Sequence, residues 1–89
     1  MTYKVYLSTE AQKFYATAEP ATAKKIARCL LQLEQTPQQH SNVKALKGKL
    51  AGYYRYRIGD YRVVYLIDEQ NNQVLVDTIA HRRGVYELS

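Results

Sequence analysis

The stretch that decides the fold is YYRYRIGDYRVVYLID, Tyr53 to Asp68. Two runs rich in tyrosine, valine and isoleucine, residues that suit a pleated and half-buried surface, flank Gly59-Asp60, a dipeptide suited to a tight hairpin turn. Strands are expected over Tyr53–Ile58 and Tyr61–Asp68. Side chains alternate along a strand, so Tyr54, Tyr56 and Ile58 share one face, with Arg55 and Arg57 on the other. On the second strand Tyr61, Val63, Tyr65 and Ile67 share a face, and Arg62 points with Val64 and Leu66. The economical arrangement turns the tyrosine and isoleucine faces inward and sets all three arginines on the opposite side.

After this hairpin, a polar turn from Glu69 to Asn72 leads to a third strand, Gln73–Ala80, and a short tail, His81 to Ser89. Before it, residues 37–52 lack clean periodicity. Pro37, Gly48 and Gly52 indicate loop, with a short turn of helix near Val43 to Leu46. A helix is expected from Ala21 to Gln35, with Ala23, Ile26, Leu30 and Leu33 as its apolar face, Ala27 and Cys29 beside it, and Thr36-Pro37 as its stop. Pro20 ends an earlier helix or begins this one. The earlier helix has Ala11, Phe14, Tyr15 and Ala18 at helical spacing, and Thr9-Glu10-Ala11-Gln12 matches a capping box at its start. Tyr3 to Leu7 reads as a first strand. The order β-α-α-β-β-β indicates one α+β domain over residues 1–89, two N-terminal helices packed on one face of a small antiparallel sheet. Two short helices joined at a proline also suggest a helix-turn-helix. Against it, Lys24, Lys25 and Arg28 lie beside the core stripe, and no base-reading Asn or Gln cluster opens the second helix.

A chain of 89 residues supports one small core. No apolar run approaches the roughly 18 residues of a membrane span, and the N-terminus lacks the apolar stretch of a signal peptide. Cys29, the one cysteine, reads as a buried small hydrophobe. A cytoplasmic protein is expected. The net charge is +5, and it is uneven. Lys44, Lys47, Lys49, Arg55, Arg57 and Arg62 face a single acid, Asp60, within residues 44–62, whereas residues 63–89 carry a net −2. Such clustering points to a polyanion, most often nucleic acid. The nine tyrosines serve either as core and rim of a small sheet or as stacking surfaces for single-stranded bases.

Opposed cations on neighbouring strands repel, and arginine does not shed its proton. The arginine face is therefore either laced with salt bridges, for which only Asp60 is near in sequence, or aimed at an anion such as phosphate. The tail His81-Arg82-Arg83-Gly84-Val85-Tyr86 adds a group that titrates near neutrality and a phenol whose pKa of about 10 falls beside cations. Cleaving RNA without a metal needs a base for the 2′-hydroxyl, cations at phosphorus and an acid for the leaving 5′-oxygen. Candidates for all three are present. The scattered acids and the loop residue His40 offer no metal site, and no cofactor is expected.

LKGKLAGYYRYRIGDYRVVYLID followed by IAHRRGVY resembles the signature of RelE toxins within the RelE/ParE superfamily of bacterial toxin–antitoxin systems, and the likeness spans nearly the whole chain. The resemblance implies a ribosome-dependent mRNA endoribonuclease, an mRNA interferase acting in the ribosomal A site. It also implies a RelB-like antitoxin held in a hetero-oligomer. It places Arg55 and Arg57 where relatives carry a pair of phosphate-holding lysines; Lys44, Lys47 and Lys49, from the charge clustering, are expected as further RNA-binding cations. Arg62 falls on the arginine that stabilises the phosphate at the cut, Arg82 on a general acid or transition-state clamp, and Tyr86 on a base and stacking surface. His81 stands where other branches have lysine or histidine. Because arginine gives up a proton less readily than lysine, acid–base duty moves toward Tyr86 and His81. Two other functions fit the same fold: a ParE-like inhibitor of DNA gyrase without nuclease activity, and a passive RNA- or ribosome-binding module.

Overall fold

A computed structural model describes residues 2–84. It consists of β1 (Lys4–Leu7), α1 (Thr9–Thr17), α2 (Pro20–Gln35), β2 (Val43–Ala45), a 3-10 turn (Gly48–Leu50), β3 (Tyr54–Ile58), β4 (Tyr61–Asp68) and β5 (Gln73–His81). The strands form one five-stranded sheet in the order β1-β5-β4-β3-β2. The α+β class and the expected element order hold, with two differences. The sheet is mixed, because β1 runs parallel to β5, with Val5 opposite Val74. The segment expected to be loop and helical turn instead supplies β2, which pairs antiparallel with β3, Lys44 opposite Arg55. Three residues are too few to show a periodicity; pairing with β3 makes them a strand.

Both helices pack on one face. Ala11 of α1 and Ile26, Cys29 and Leu33 of α2 are buried against Tyr56, Ile58, Val63, Tyr65, Val74, Val76 and Ile79. Phe14 meets Tyr61 edge to face, with ring centroids 5.7 Å apart. Tyr65 is fully buried and donates its hydroxyl to the Pro37 carbonyl at 2.6 Å. This bond satisfies a polar group inside the core and pins the loop after α2. Pro20 stands at the first turn of α2, where its missing N–H costs nothing.

Ser8, rather than Thr9, caps α1: its Oγ accepts from the Ala11 N–H at 3.1 Å, while Gln12 Nε2 donates to the Leu7 carbonyl. The capping motif thus sits one residue earlier than expected. The reason is tertiary, since the Ser8 N–H donates to the Val76 carbonyl of β5 and holds Ser8 extended. Its Oγ also donates to the Asp77 carbonyl at 2.6 Å. Asp77 lies at a β-bulge: Val64 pairs with Thr78 and Tyr65 with Val76, so Asp77 has no partner on β4.

Candidate functional site

The hairpin has the expected register. Tyr54 faces Tyr65, Tyr56 faces Val63, and Ile58 faces Tyr61 across the Gly59-Asp60 turn. The helices take the tyrosine and isoleucine side, so the interleaved residues lie on the other. There Arg57 opposes Arg62 directly, Arg55 opposes Val64, and Lys44 opposes Arg55 from β2. Directly paired residues project from the same side of a sheet. Three adjacent strands therefore place Lys44, Arg55, Arg57 and Arg62 on the face without helices, in two rows. On β5 these rows continue as Thr78, opposite Val64, and Ala80, opposite Arg62.

Arg62 differs from its neighbours. It is only 7% exposed and is the charged residue in the buried set. Its Nη1 donates at 2.8 Å to both the Gly59 and the Tyr61 carbonyls, folding the guanidinium back over the turn. Its buried Nε has no hydrogen-bond partner among the described residues. A cation so placed loses most of its hydration, and two neutral carbonyls replace only part of it. The arrangement suits an approaching anion, which would complete the guanidinium's set of acceptors and offset the Arg57–Arg62 repulsion.

The start of the tail is tied to the same turn. The Arg82 N–H donates to the Asp60 carbonyl at 2.8 Å, and residues 82–84 are helical. A Cβ placed on Gly84 would lie 3.6 Å from the Ala80 Cβ, so this turn curls over the side of β5 that neighbours Arg62. The exposed Arg82 thus stands at the edge of the arginine face. Tyr86 lies outside the described residues. Lys47 and Lys49 are exposed in the connection between β2 and β3, beyond the edge of the sheet.

His81 does not join the arginine face. It is the last residue of β5, paired with Tyr61, and its ring meets the Tyr61 ring edge-on at 5.7 Å. Tyr61 belongs to the helix side, so His81 projects there, one step out of phase with Ala80. Its Nδ1 accepts from the Arg83 N–H at 3.4 Å. His40, the loop histidine, stacks on Tyr56 at 5.2 Å and accepts the Asn42 N–H on Nδ1. The Gly59 and Tyr61 carbonyls, which aim Arg62, were beyond sequence reasoning because backbone acceptors leave no mark in residue identity. Among the described residues no group of three or more His, Cys, Asp or Glu is placed to hold a metal ion.

Comparison with known proteins shows the family. A family model described as the ParE toxin of type II toxin–antitoxin systems, parDE, matches residues 5–86. The chain is 40% identical over 50 residues to Toxin RelE of Mycobacterium tuberculosis, a match covering 56% of this chain and 52% of that protein, so it spans about half that relative's length. It is 27% identical over 89 residues to putative toxin RelE1 of Methanocaldococcus jannaschii, covering 98% of each. Among solved structures, the RelBE2 toxin–antitoxin complex of Mycobacterium tuberculosis contains a chain that superposes with a TM-score of 0.81 at 26% identity, covering 92% of this chain and 100% of that one. The chain belongs to the ParE toxin family of type II toxin–antitoxin systems, and within the RelE/ParE superfamily it stands beside RelE toxins.

Proposed function

We propose that this toxin is a ribosome-dependent, metal-independent mRNA endoribonuclease of the cytoplasm that halts translation by cutting messenger in the ribosomal A site. The observation that carries the reading is Arg62: a buried, permanently charged group opposed by Arg57 and lacking a partner at Nε among the described residues. Arg62 holds the scissile phosphate and stabilises the charge that develops when the ribose 2′-oxygen attacks it. Arg55, Arg57 and Lys44 hold the neighbouring backbone, and Lys47 and Lys49 extend that contact. Arg82 clamps the transition state from the edge of the face, Tyr86 takes the 2′-hydroxyl proton, and as the phosphorus–5′-oxygen bond breaks the departing oxygen takes a proton from solvent. His81, on the helix side, supports the hairpin rather than the proton transfer.

A RelB-like antitoxin is the proposed partner, supported by the toxin–antitoxin complex in which the 26%-identical structural relative was solved. It would set acidic side chains against the arginines and cover apolar surface such as Leu31 of α2, which is 61% exposed.

The test is primer extension on translated messenger with wild type, Arg62→Ala and Tyr86→Phe. The reading expects new ends inside codons in wild type that vanish in both variants. A second reading, inhibition of DNA gyrase, is favoured by the ParE description of the matching family. It expects supercoiling defects and uncut messenger. Stalled ribosomes over intact messenger would instead mark a passive binder.

A further inference from the structure

Arg62 reaches the arginine face with its orientation already set by backbone. Both hydrogens of Nη1 are taken, one by the Gly59 carbonyl and one by the Tyr61 carbonyl, each at 2.8 Å. A guanidinium is a planar fork of five N–H donors. With Nη1 occupied, the fork that remains is the edge formed by Nε and Nη2, and Nε is the atom without a partner among the described residues. Two carbonyls from one turn thus decide which edge meets a ligand.

The direction of the Gly59 carbonyl depends on local conformation. Gly59 has φ +53, and Asp60 is not among the non-glycine residues with positive φ. Positive φ at the first central residue alone is the type II′ pattern, which glycine adopts without penalty. A Cβ at Gly59 would meet nothing within 4 Å, so the constraint at this position is conformational and not steric. The adjoining Asp60 carbonyl accepts the Arg82 N–H, so the same two residues aim one arginine and anchor the strand that delivers another.

We propose that Gly59 is a positioning residue: its left-handed conformation directs the turn carbonyls onto Arg62 Nη1, so that Arg62 takes a phosphate side-on through Nε and Nη2. This rests on the nuclease reading for its catalytic consequence, while the binding geometry stands apart from it. A residue driven to negative φ turns the 59–60 peptide plane away and frees Nη1. Arg62 then keeps its charge but loses its aim.

The experiment compares wild type, Gly59→Asn, Gly59→Ala and Gly59→Val as full chains. Asparagine tolerates the left-handed region, alanine less so, and a β-branched residue least. The probes are cleavage of translated messenger, with kcat and KM taken separately, and the 15N–1H signal of Arg62 Nε, assigned by its loss in Arg62→Lys, titrated with a non-cleavable 2′-O-methyl oligoribonucleotide. Gly59→Asn is expected within about threefold of wild-type kcat, and Gly59→Val about tenfold or more below it with KM little changed, a partial version of losing a transition-state donor. The Nε signal should shift on titration in wild type and Gly59→Asn and stay still in Gly59→Val. If Gly59→Val does not fold, Gly59→Ala is decisive, with an intermediate kcat and a reduced shift. Equal kcat and equal Nε shifts across the folded variants overturn the proposal, as does an Nε signal unmoved by oligonucleotide in wild type. A wild type that shifts at Nε in the expected order of variants but cuts nothing upholds the positioning role and sinks the nuclease reading alone.

Discussion

Replacing Arg62 with methionine should make the protein more stable while abolishing its activity. Arg62 is only 7% exposed, and the cost of desolvating such an ion is several kcal/mol. Its two bonds to carbonyls return about 1.5–3 kcal/mol each, the range for hydrogen bonds made by charged groups, so these contributions nearly cancel. Two unfavourable ones remain. The Nε–H, without a partner among the described residues, costs about 1–3 kcal/mol. The opposed Arg57 is exposed, so its repulsion is screened and adds no more than about 1 kcal/mol. Methionine keeps much of the side-chain volume and lets water satisfy the freed turn carbonyls. Part of that relief is lost again because methionine fills the site less closely than arginine, so a net gain of about 1–2 kcal/mol is expected, and at about 4–8 °C per kcal/mol for a domain of this size the melting temperature should rise by roughly 4–16 °C. Chemical and thermal denaturation measure this directly. Added phosphate at about ten times its Kd should stabilise wild type by about 1.4 kcal/mol through linkage and leave the variant unmoved. A variant less stable than wild type by 1 kcal/mol or more, on the scale of a single hydrogen bond, would refute the reasoning, because the fold itself would then satisfy the guanidinium and no anion would be needed.

Cys29 is 1% exposed, and burial pushes its thiol up to about 12, so at pH 8 alkylation should be undetectable in the native protein and complete in denaturant; rapid native labelling would contradict the packing of α2. Tyr65→Phe strands the buried Pro37 carbonyl that now accepts its hydroxyl at 2.6 Å, and should lower stability by about 1–3 kcal/mol, read from denaturant midpoints. Arg57→Gln should weaken RNA binding about equally across sequences and reduce the slope of log K against log salt by about one, whereas an unchanged slope would remove Arg57 from the phosphate contacts.

The hairpin was legible because its signals agree. Strand-forming residues alternate with arginine on β3, and Gly59-Asp60 marks the turn, so Tyr54, Tyr56 and Ile58 could be assigned to the core and Arg55 and Arg57 to the opposite face before any coordinates. The helices were legible from the spacing of Ala11, Phe14 and Ala18 and of Ile26, Leu30 and Leu33. What sequence could not show depends on contacts distant along the chain. Val43-Lys44-Ala45 is a strand because β3 lies beside it. Ser8 outranks Thr9 as the cap because the Val76 carbonyl holds its N–H. The burial of Arg62 was hidden for a related reason: alternation tells which face a side chain leaves from, not whether its head folds back onto a turn.

The displacement of His81 follows from one residue. Val74 and Val76 point into the core, and uninterrupted alternation from them would send Thr78 and Ala80 inward and His81 out among the arginines. The bulge at Asp77 reverses that parity: Ile79 is buried in the core, and His81 lands against Tyr61 on the helix side. A bulge inserts an unpaired residue and re-aims everything after it. This one is held by Ser8, through its N–H to the Val76 carbonyl and its hydroxyl to the Asp77 carbonyl. The same reversal puts Ala80, the smallest side chain on that end of β5, opposite Arg62. A histidine in that position would carry its ring into the space beside the guanidinium and compete for its free edge. The serine that starts α1 therefore also helps decide what borders the arginine site at the far end of β5, and the chain keeps a bulky ring off the face where the arginines lie.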